Sequence, residues 1–108
     1  VACLDIGHAE MRGLNSSAVG LIKALGNKRL KALHIHDNDL HYDSHQIPFS
    51  MKIDFNAVVK ALKEIGYDGY FTLEADAYLS AFSNENIFDG MKNLCNSARK
   101  LADMFDNL

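Results

Sequence analysis

Basic residues are in the minority: 11 Lys and Arg stand against 14 Asp and Glu, for a net charge of −3. That balance argues against a partner held through its phosphates by bulk positive charge, so nucleic acid is not expected as a ligand. Lys28, Arg29 and Lys31 form the one basic cluster, and a solvated entry to a strand accounts for it. Cysteine occurs twice, as Cys3 and Cys95, with no Cys-x-x-Cys spacing. Thiolate chemistry therefore has little support, and two small buried hydrophobes in a reducing compartment, the cytoplasm, are expected. A single proline and seven scattered glycines leave no linker, low-complexity segment or domain boundary. No apolar run is long enough to cross a bilayer, and the start lacks the charged and apolar regions of a secretion signal.

What is present is one small domain's worth of chain, 108 residues with 48% hydrophobic content, enough for a core. The pattern repeats three times. Val1 to Ile6 is a β-like run, with Gly7 allowing a turn before His8. Asn15-Ser16-Ser17 supplies cap residues for a helix carrying Val19, Ile22 and Leu25, closed by Gly26. A second strand starts at Leu30 and runs through Ile35, followed by a long polar loop from Asn38 to about Lys52. Asp54 caps a second helix with the stripe Phe55, Val58, Val59, Leu62 and Ile65, ended by Gly66. The turn Asp68-Gly69 introduces a third strand, Tyr70 to Ala75. A last helix carries Ile87, Met91, Leu94, Ala98, Leu101 and Phe105 at alternating spacings of four and three. This β-α-β-α-β-α order implies parallel strands joined by right-handed crossovers. Val1-Ala2-Cys3-Leu4 opens inside a strand without an initiator Met, so an N-terminal portion of a larger protein is expected before it.

Each strand ends in side chains that bind metals. Leu4-Asp5-Ile6-Gly7-His8, His34-Ile35-His36-Asp37 and Phe71-Thr72-Leu73-Glu74 each close an apolar run with carboxylate or imidazole. Parallel α/β enzymes place their chemistry at that strand end. Strand alternation puts Leu33 and Ile35, and Phe71 and Leu73, on an apolar face under the helices, and collects Asp5, His34, His36 and Glu74 on the other. Interior carboxylates are costly unless paired or bound to a cation. Two carboxylates with imidazole suit a divalent ion that accepts mixed O and N ligands, such as Mn²⁺, Co²⁺, Zn²⁺ or Mg²⁺. The loop adds His41, and Asp43-Ser44-His45 gives ligand types at i and i+2, although Asp and His are also ordinary loop residues. A loop of this length in a compact domain is usually functional.

In order and spacing, five motifs resemble the sugar phosphate isomerase/epimerase superfamily. These are the xylose isomerase-like (β/α)8 TIM barrels, which include the endonuclease-IV-type apurinic-site nucleases. The motifs are Leu4-Asp5-Ile6-Gly7-His8-Ala9, His34-Ile35-His36-Asp37-Asn38, Asp43-Ser44-His45-Gln46-Ile47-Pro48, Ile53-Asp54-Phe55 with Ala61 to Gly69, and Phe71-Thr72-Leu73-Glu74. The resemblance covers essentially the whole chain and corresponds to the last three βα units of such a barrel, so residues 1–108 are expected to form a partial barrel. It implies Asp5, His34 and Glu74 as metal ligands, with a fourth ligand, a Glu, on an earlier strand outside the chain. Glu74 doubles as the acid/base. His8, His36, Asp43 and His45 are implied as substrate-binding residues; in the nuclease branch His8, Asp43 and His45 hold further metal. One departure stands out: after Pro48 the superfamily often has a Gly-rich turn, where this chain has Phe49-Ser50-Met51-Lys52.

The function implied for the full-length protein is a metal-dependent isomerase or epimerase, with residues 1–108 alone expected to be inactive because the fourth ligand lies outside them. It moves a proton at carbon beside a metal-bound carbonyl of a sugar or sugar phosphate. The alternatives are a metal-dependent phosphodiester hydrolase of the endonuclease-IV type, and a non-catalytic truncated or assembly module. Three βα units leave two open parallel edges, so a homo-oligomer, or the N-terminal portion of the same barrel, is expected to cover them. The ligand register carries its own test. His34→Ala is expected to weaken metal binding far more than His36→Ala in a titration of both variants; the reverse order would place the ligand two residues further along.

Overall fold

The computed structural model describes residues 1–12 and 17–108. The element order is β1 (Ala2–Asp5), α1 (Ile6–Glu10), α2 (Ala18–Arg29), β2 (Leu30–His34), α3 (Phe55–Glu64), α4 (Asp76–Ser80) and α5 (Ile87–Asp106). β1 and β2 pair in parallel, with Leu4 opposite Leu33 and Asp5 opposite His34. The chain beyond β2 extends the sheet by one step: Ile35 N–H donates to Thr72 O and Glu74 N–H to Ile35 O, each at 2.8 Å. This single parallel bridge, Ile35 to Leu73, is all that forms of the expected third strand. Its far edge has no neighbour among the described residues to extend a ladder, and the backbone turns into α4 directly after Ala75.

Three helix boundaries follow from local chemistry. Ser17 Oγ accepts the Gly20 N–H at 3.0 Å and Asp54 Oδ1 accepts the Ala57 N–H at 3.1 Å, each satisfying a donor that the first helical turn leaves free. Asn15 and Ser16, the other expected cap residues, lie outside the described residues. Gly26 breaks the helical path of α2 with a φ of 66°, and Gly66 follows α3 with a φ of 70°. That left-handed region suits glycine because no Cβ opposes it.

The core sits between the sheet and α2, α3 and α5. Leu4, Ile6, Ile22, Leu30, Leu33, Ile35, Val58, Val59, Leu62 and Leu101 are all buried in it, and each such side chain contributes about 1.5–3 kcal/mol on leaving water. Alternation in β1 sends Leu4 inward and Cys3 outward. Cys3 and Cys95 are both exposed, which corrects the expectation that they are buried. In α5 the buried positions are Gly90, Ser97 and Leu101, while Met91 of the expected stripe is exposed. A groove of about 600 Å³ beside α5, lined in part by Tyr67, Phe71, Ala98 and Phe105, contains none of the candidate donors. Among the described residues no helix is long and apolar enough to cross a membrane.

The long loop is held by two buried residues at its root. Asp37 Oδ1 accepts the N–H groups of Asn38 (2.9 Å) and Ile53 (3.1 Å), and Oδ2 accepts that of Met51 (2.9 Å). Asn38 Nδ2 donates to Gly7 O at 3.0 Å, and its Oδ1 accepts the Leu40 N–H at 2.9 Å. Asp37 and Gln46 exchange backbone hydrogen bonds at 2.8 and 3.1 Å, folding the loop back on its strand. The non-glycine residues with positive φ, Leu40 (75°), His45 (45°) and Phe49 (74°), all belong to this loop. Phe49 thus adopts a glycine-like backbone, and its ring packs against Phe55 at 5.4 Å and under the Lys100 ammonium at 3.9 Å. Asp37→Ala strands three backbone donors, and unmade buried hydrogen bonds cost about 1–3 kcal/mol each. The variant is therefore expected to lose about 3 kcal/mol in denaturant unfolding; a loss under about 1 kcal/mol would show that the loop does not depend on this carboxylate.

Candidate metal centre

The strand tips converge on Asp5. Asp5 is the N-cap of α1, its Oδ1 accepting the His8 backbone N–H at 2.8 Å, so helix capping and site geometry share one carboxylate. The same Oδ1 accepts from His36 Nε2 at 2.8 Å, and Oδ2 accepts from His8 Nδ1 at 2.9 Å. His8 then reaches Asp43 Oδ2 through Nε2 at 2.9 Å. Asp43 Oδ1 in turn accepts from His45 Nε2 at 2.9 Å. The His45 ring stacks on His36, centroids 4.0 Å apart and planes 8° from parallel. Five side chains from β1, α1, the end of β2 and the loop therefore close into one circuit.

Two groups of donors emerge from the positions that sequence reading picked out. Asp5, His34 and Glu74 offer ligand atoms all within 4.8 Å of one another, as do His8, His36, Asp43 and His45. His34 Nδ1 lies 3.5 Å from Glu74 Oε2. The expected single face thus divides into two adjoining sets with Asp5 hydrogen-bonded to members of the second. His36, expected to bind substrate, is fully buried and presents no surface to one. His41 is exposed and belongs to neither set; its N–H donates to Asp39. Asp76, one residue into α4, lies 3.3 Å from His45 Nδ1.

Two contributions escaped the sequence. Gly7 was read as a turn, yet it lies inside α1, where a Cβ would overlap the His36 ring. Asp37 and Asn38 anchor the loop that delivers Asp43 and His45. The signal for them was an Asp-Asn pair directly after a strand, a common start for side-chain-to-backbone turns.

Opposite charges face one another in the second set. His8 has a carboxylate at each ring nitrogen, and a carboxylate only accepts, so both nitrogens carry protons. Asp43's hydrogen bond, with the nearby Asp5 and Asp43 charges, holds the His8 pKa above its ordinary value, against desolvation and the neighbouring His45. For His45 burial is the largest influence and pulls downward, but the Glu74 carbonyl (3.0 Å from Nδ1) and the Asp43 and Asp76 carboxylates outweigh it and raise the pKa. Asp43 shows the converse: burial pushes upward, and its two imidazole partners more than reverse it, so its pKa is lowered.

The residues present fit a divalent cation. The first set pairs two carboxylates with an imidazole, the mixed O and N donors that Zn²⁺ and Mn²⁺ accept. The second offers three imidazoles and a carboxylate, donors of the same kinds. The fold and these strand-end donors define a class of α/β barrel proteins whose site lies at the C-terminal ends of parallel strands. The chain belongs to the xylose isomerase-like TIM barrel family, whose pattern matches residues 1–106. Among curated proteins it is 35% identical over 89 residues to "Uncharacterized protein MJ1311" of Methanocaldococcus jannaschii, covering 82% of this chain and 27% of that one. It is also 35% identical over 65 residues to "Uncharacterized protein y4fM" of Sinorhizobium fredii, covering 60% of this chain and 20% of that one. The chain thus spans about a quarter or less of the length of these relatives.

The shifts fix the sign of a pH response. Raised pKa values at His8 and His45 mean that their contribution to ion-free stability is full below about 6.5 and is lost as pH rises through the folded values. The lowered Asp43 value adds stability above about 3.8 that is lost as pH falls through its folded value. Denaturant unfolding in chelator is thus expected to show stability falling from pH 6 to pH 8, while zinc affinity rises over the same interval because the ion displaces those protons. Ion-free stability that climbs across that interval would contradict the protonated arrangement.

Proposed function

We propose that this protein is a metal-dependent isomerase or epimerase of a sugar or sugar phosphate, with Asp5, His34 and Glu74 holding the ion. The observation that carries the reading is the convergence of three ligand atoms, from the ends of β1 and β2 and from the residue after the Leu73 bridge, within 4.8 Å of one another. Mn²⁺, Co²⁺, Zn²⁺ or Mg²⁺ bound there supplies Lewis acidity to a carbonyl and its neighbouring hydroxyl. Glu74 is partly exposed and has two oxygens, so one can serve the ion while the other takes or returns a proton at the substrate carbon. His8 and His45 have both ring nitrogens engaged, by Asp5 and Asp43 and by Asp43 and the Glu74 carbonyl, so either would contact substrate hydroxyl or phosphate oxygens by exchanging one of these partners. The loop rooted at Asp37 and Asn38 brings Asp43 and His45 to His8.

A second reading, a phosphodiester hydrolase, is favoured by one observation: the His8, Asp43 and His45 donors lie beside the first set, an arrangement suited to a second ion. Paired ions stabilise the attacking and leaving oxygens of such a displacement. The acidic balance of the chain, −3 overall, supports the sugar reading over a nucleic-acid substrate.

Glu74→Gln removes charge and keeps volume. Assayed in the full-length protein with a panel of ketoses, aldoses and their phosphates, it is expected to lower turnover by about 10²–10⁴-fold, the range for loss of a general acid/base, with an unchanged circular dichroism spectrum. Turnover within about threefold of the wild type would remove Glu74 from the chemistry. Cleavage of abasic-site DNA with two or more bound ions, and no sugar turnover, would decide for the hydrolase.

A further inference from the structure

We propose, building on the metal-binding reading above, that His36 is a positioning residue for the ion site and neither a ligand nor a substrate contact. Its ring is 0% exposed and lies against Gly7 so closely that any Cβ there would overlap it. Nε2–H donates to Asp5 Oδ1 at 2.8 Å. Together with the His8 backbone N–H on the same oxygen, this fixes the plane of the carboxylate that the first set requires.

Geometry argues against ligation by His36 together with its neighbour. A metal bound to imidazole lies in the ring plane, about 2.0–2.1 Å from the nitrogen. The His36 and His45 planes are 8° from parallel with centroids 4.0 Å apart, so they do not intersect near either nitrogen, and one ion cannot lie in both. The His8 ring, by contrast, stands at 76° to His45 with a centroid distance of 5.6 Å, and those two planes cross. His8, Asp43 and His45 can therefore converge on one point, with His36 beneath them as the support on which His45 stacks.

His36 Nδ1 is buried and has no hydrogen-bond partner among the described residues. A bare buried acceptor is costly, and an aliphatic side chain would avoid that cost, but it could not hold Asp5. The ring thus supports both donor sets at once: it donates to a carboxylate of one and stacks on an imidazole of the other. The same orphan nitrogen is where a ligand role would show itself, so the test separates the two.

Nitrogen-15 spectra of the imidazoles in zinc-loaded protein are expected to show a zinc-bound nitrogen at His34 and, at His36, a retained Nε2–H with no zinc-bound nitrogen. In chelator competition His36→Gln, which keeps an amide donor for Asp5, is expected to weaken zinc binding by about 10–100-fold, the usual effect of losing an outer-sphere partner. His36→Leu should weaken it further, and the visible spectrum of the Co²⁺-loaded Gln variant should keep its band positions. A zinc-bound nitrogen at His36, or a shifted cobalt spectrum, would make it a ligand and overturn the proposal. Zinc affinity within about threefold of wild type in both variants would reduce His36 to packing. If neither variant folds, the wild-type nitrogen spectra alone decide. Wild-type protein that binds no zinc would remove the metal reading itself, a failure distinct from bound zinc with an indifferent His36.

Discussion

One carboxylate organises this molecule. Asp5 ends β1, caps α1 and receives imidazole N–H groups from His8 and His36. A charged group at the end of a buried strand is costly unless donors surround it, and here the donors come from the next helix and the next strand. Satisfying Asp5 therefore sets the register of β1 against β2 and the start of α1 in the same act. The parallel pairing of Asp5 with His34 then brings the His34 imidazole beside Glu74, which the short bridge from Ile35 to Leu73 delivers.

The loop after β2 completes the arrangement because its backbone is tied to buried side chains. Asp37 and Asn38 absorb five hydrogen bonds between them, which lets the chain pass through three positive-φ positions and still present Asp43 and His45 to His8. Left-handed backbone at non-glycine residues costs about 1–2 kcal/mol each, and such strain concentrates where side chains must be aimed. The circuit from Asp5 through His8, Asp43 and His45 to His36 is the result. Its hydrogen-bonded run, His36–Asp5–His8–Asp43–His45, alternates imidazole and carboxylate and closes through the His45–His36 stack, so a divalent cation would compete with protons for the nitrogens of His8 and His45.

Much of this was legible in the residue pattern. The stripe from Phe55 to Ile65, the caps at Ser17 and Asp54 and the breaks at Gly26 and Gly66 follow from periodicity and local hydrogen bonding, which act within a few residues. The three ligand-bearing segments were legible because each closes an apolar run on a carboxylate or imidazole and the three agree in ligand type. What escaped depends on contacts distant in sequence. His36 could be placed on a face by alternation, but its burial depends on Gly7 and His45, about thirty and nine residues away. The third strand read as continuous because Tyr70 to Ala75 has strand composition, yet a ladder needs a partner on the far side, and its length is not a local property. Cys3 and Cys95 were placed inside on residue type alone, and strand and helix phase placed them outside.

The central claim is that Asp5, His34 and Glu74 together hold a divalent ion. Calorimetric titration of Mn²⁺ into the wild-type protein and Glu74→Gln tests it most directly. Saturable binding in the wild type that is lost in the variant is the predicted result. Absence of binding in the wild type, or equal binding in both, would contradict it.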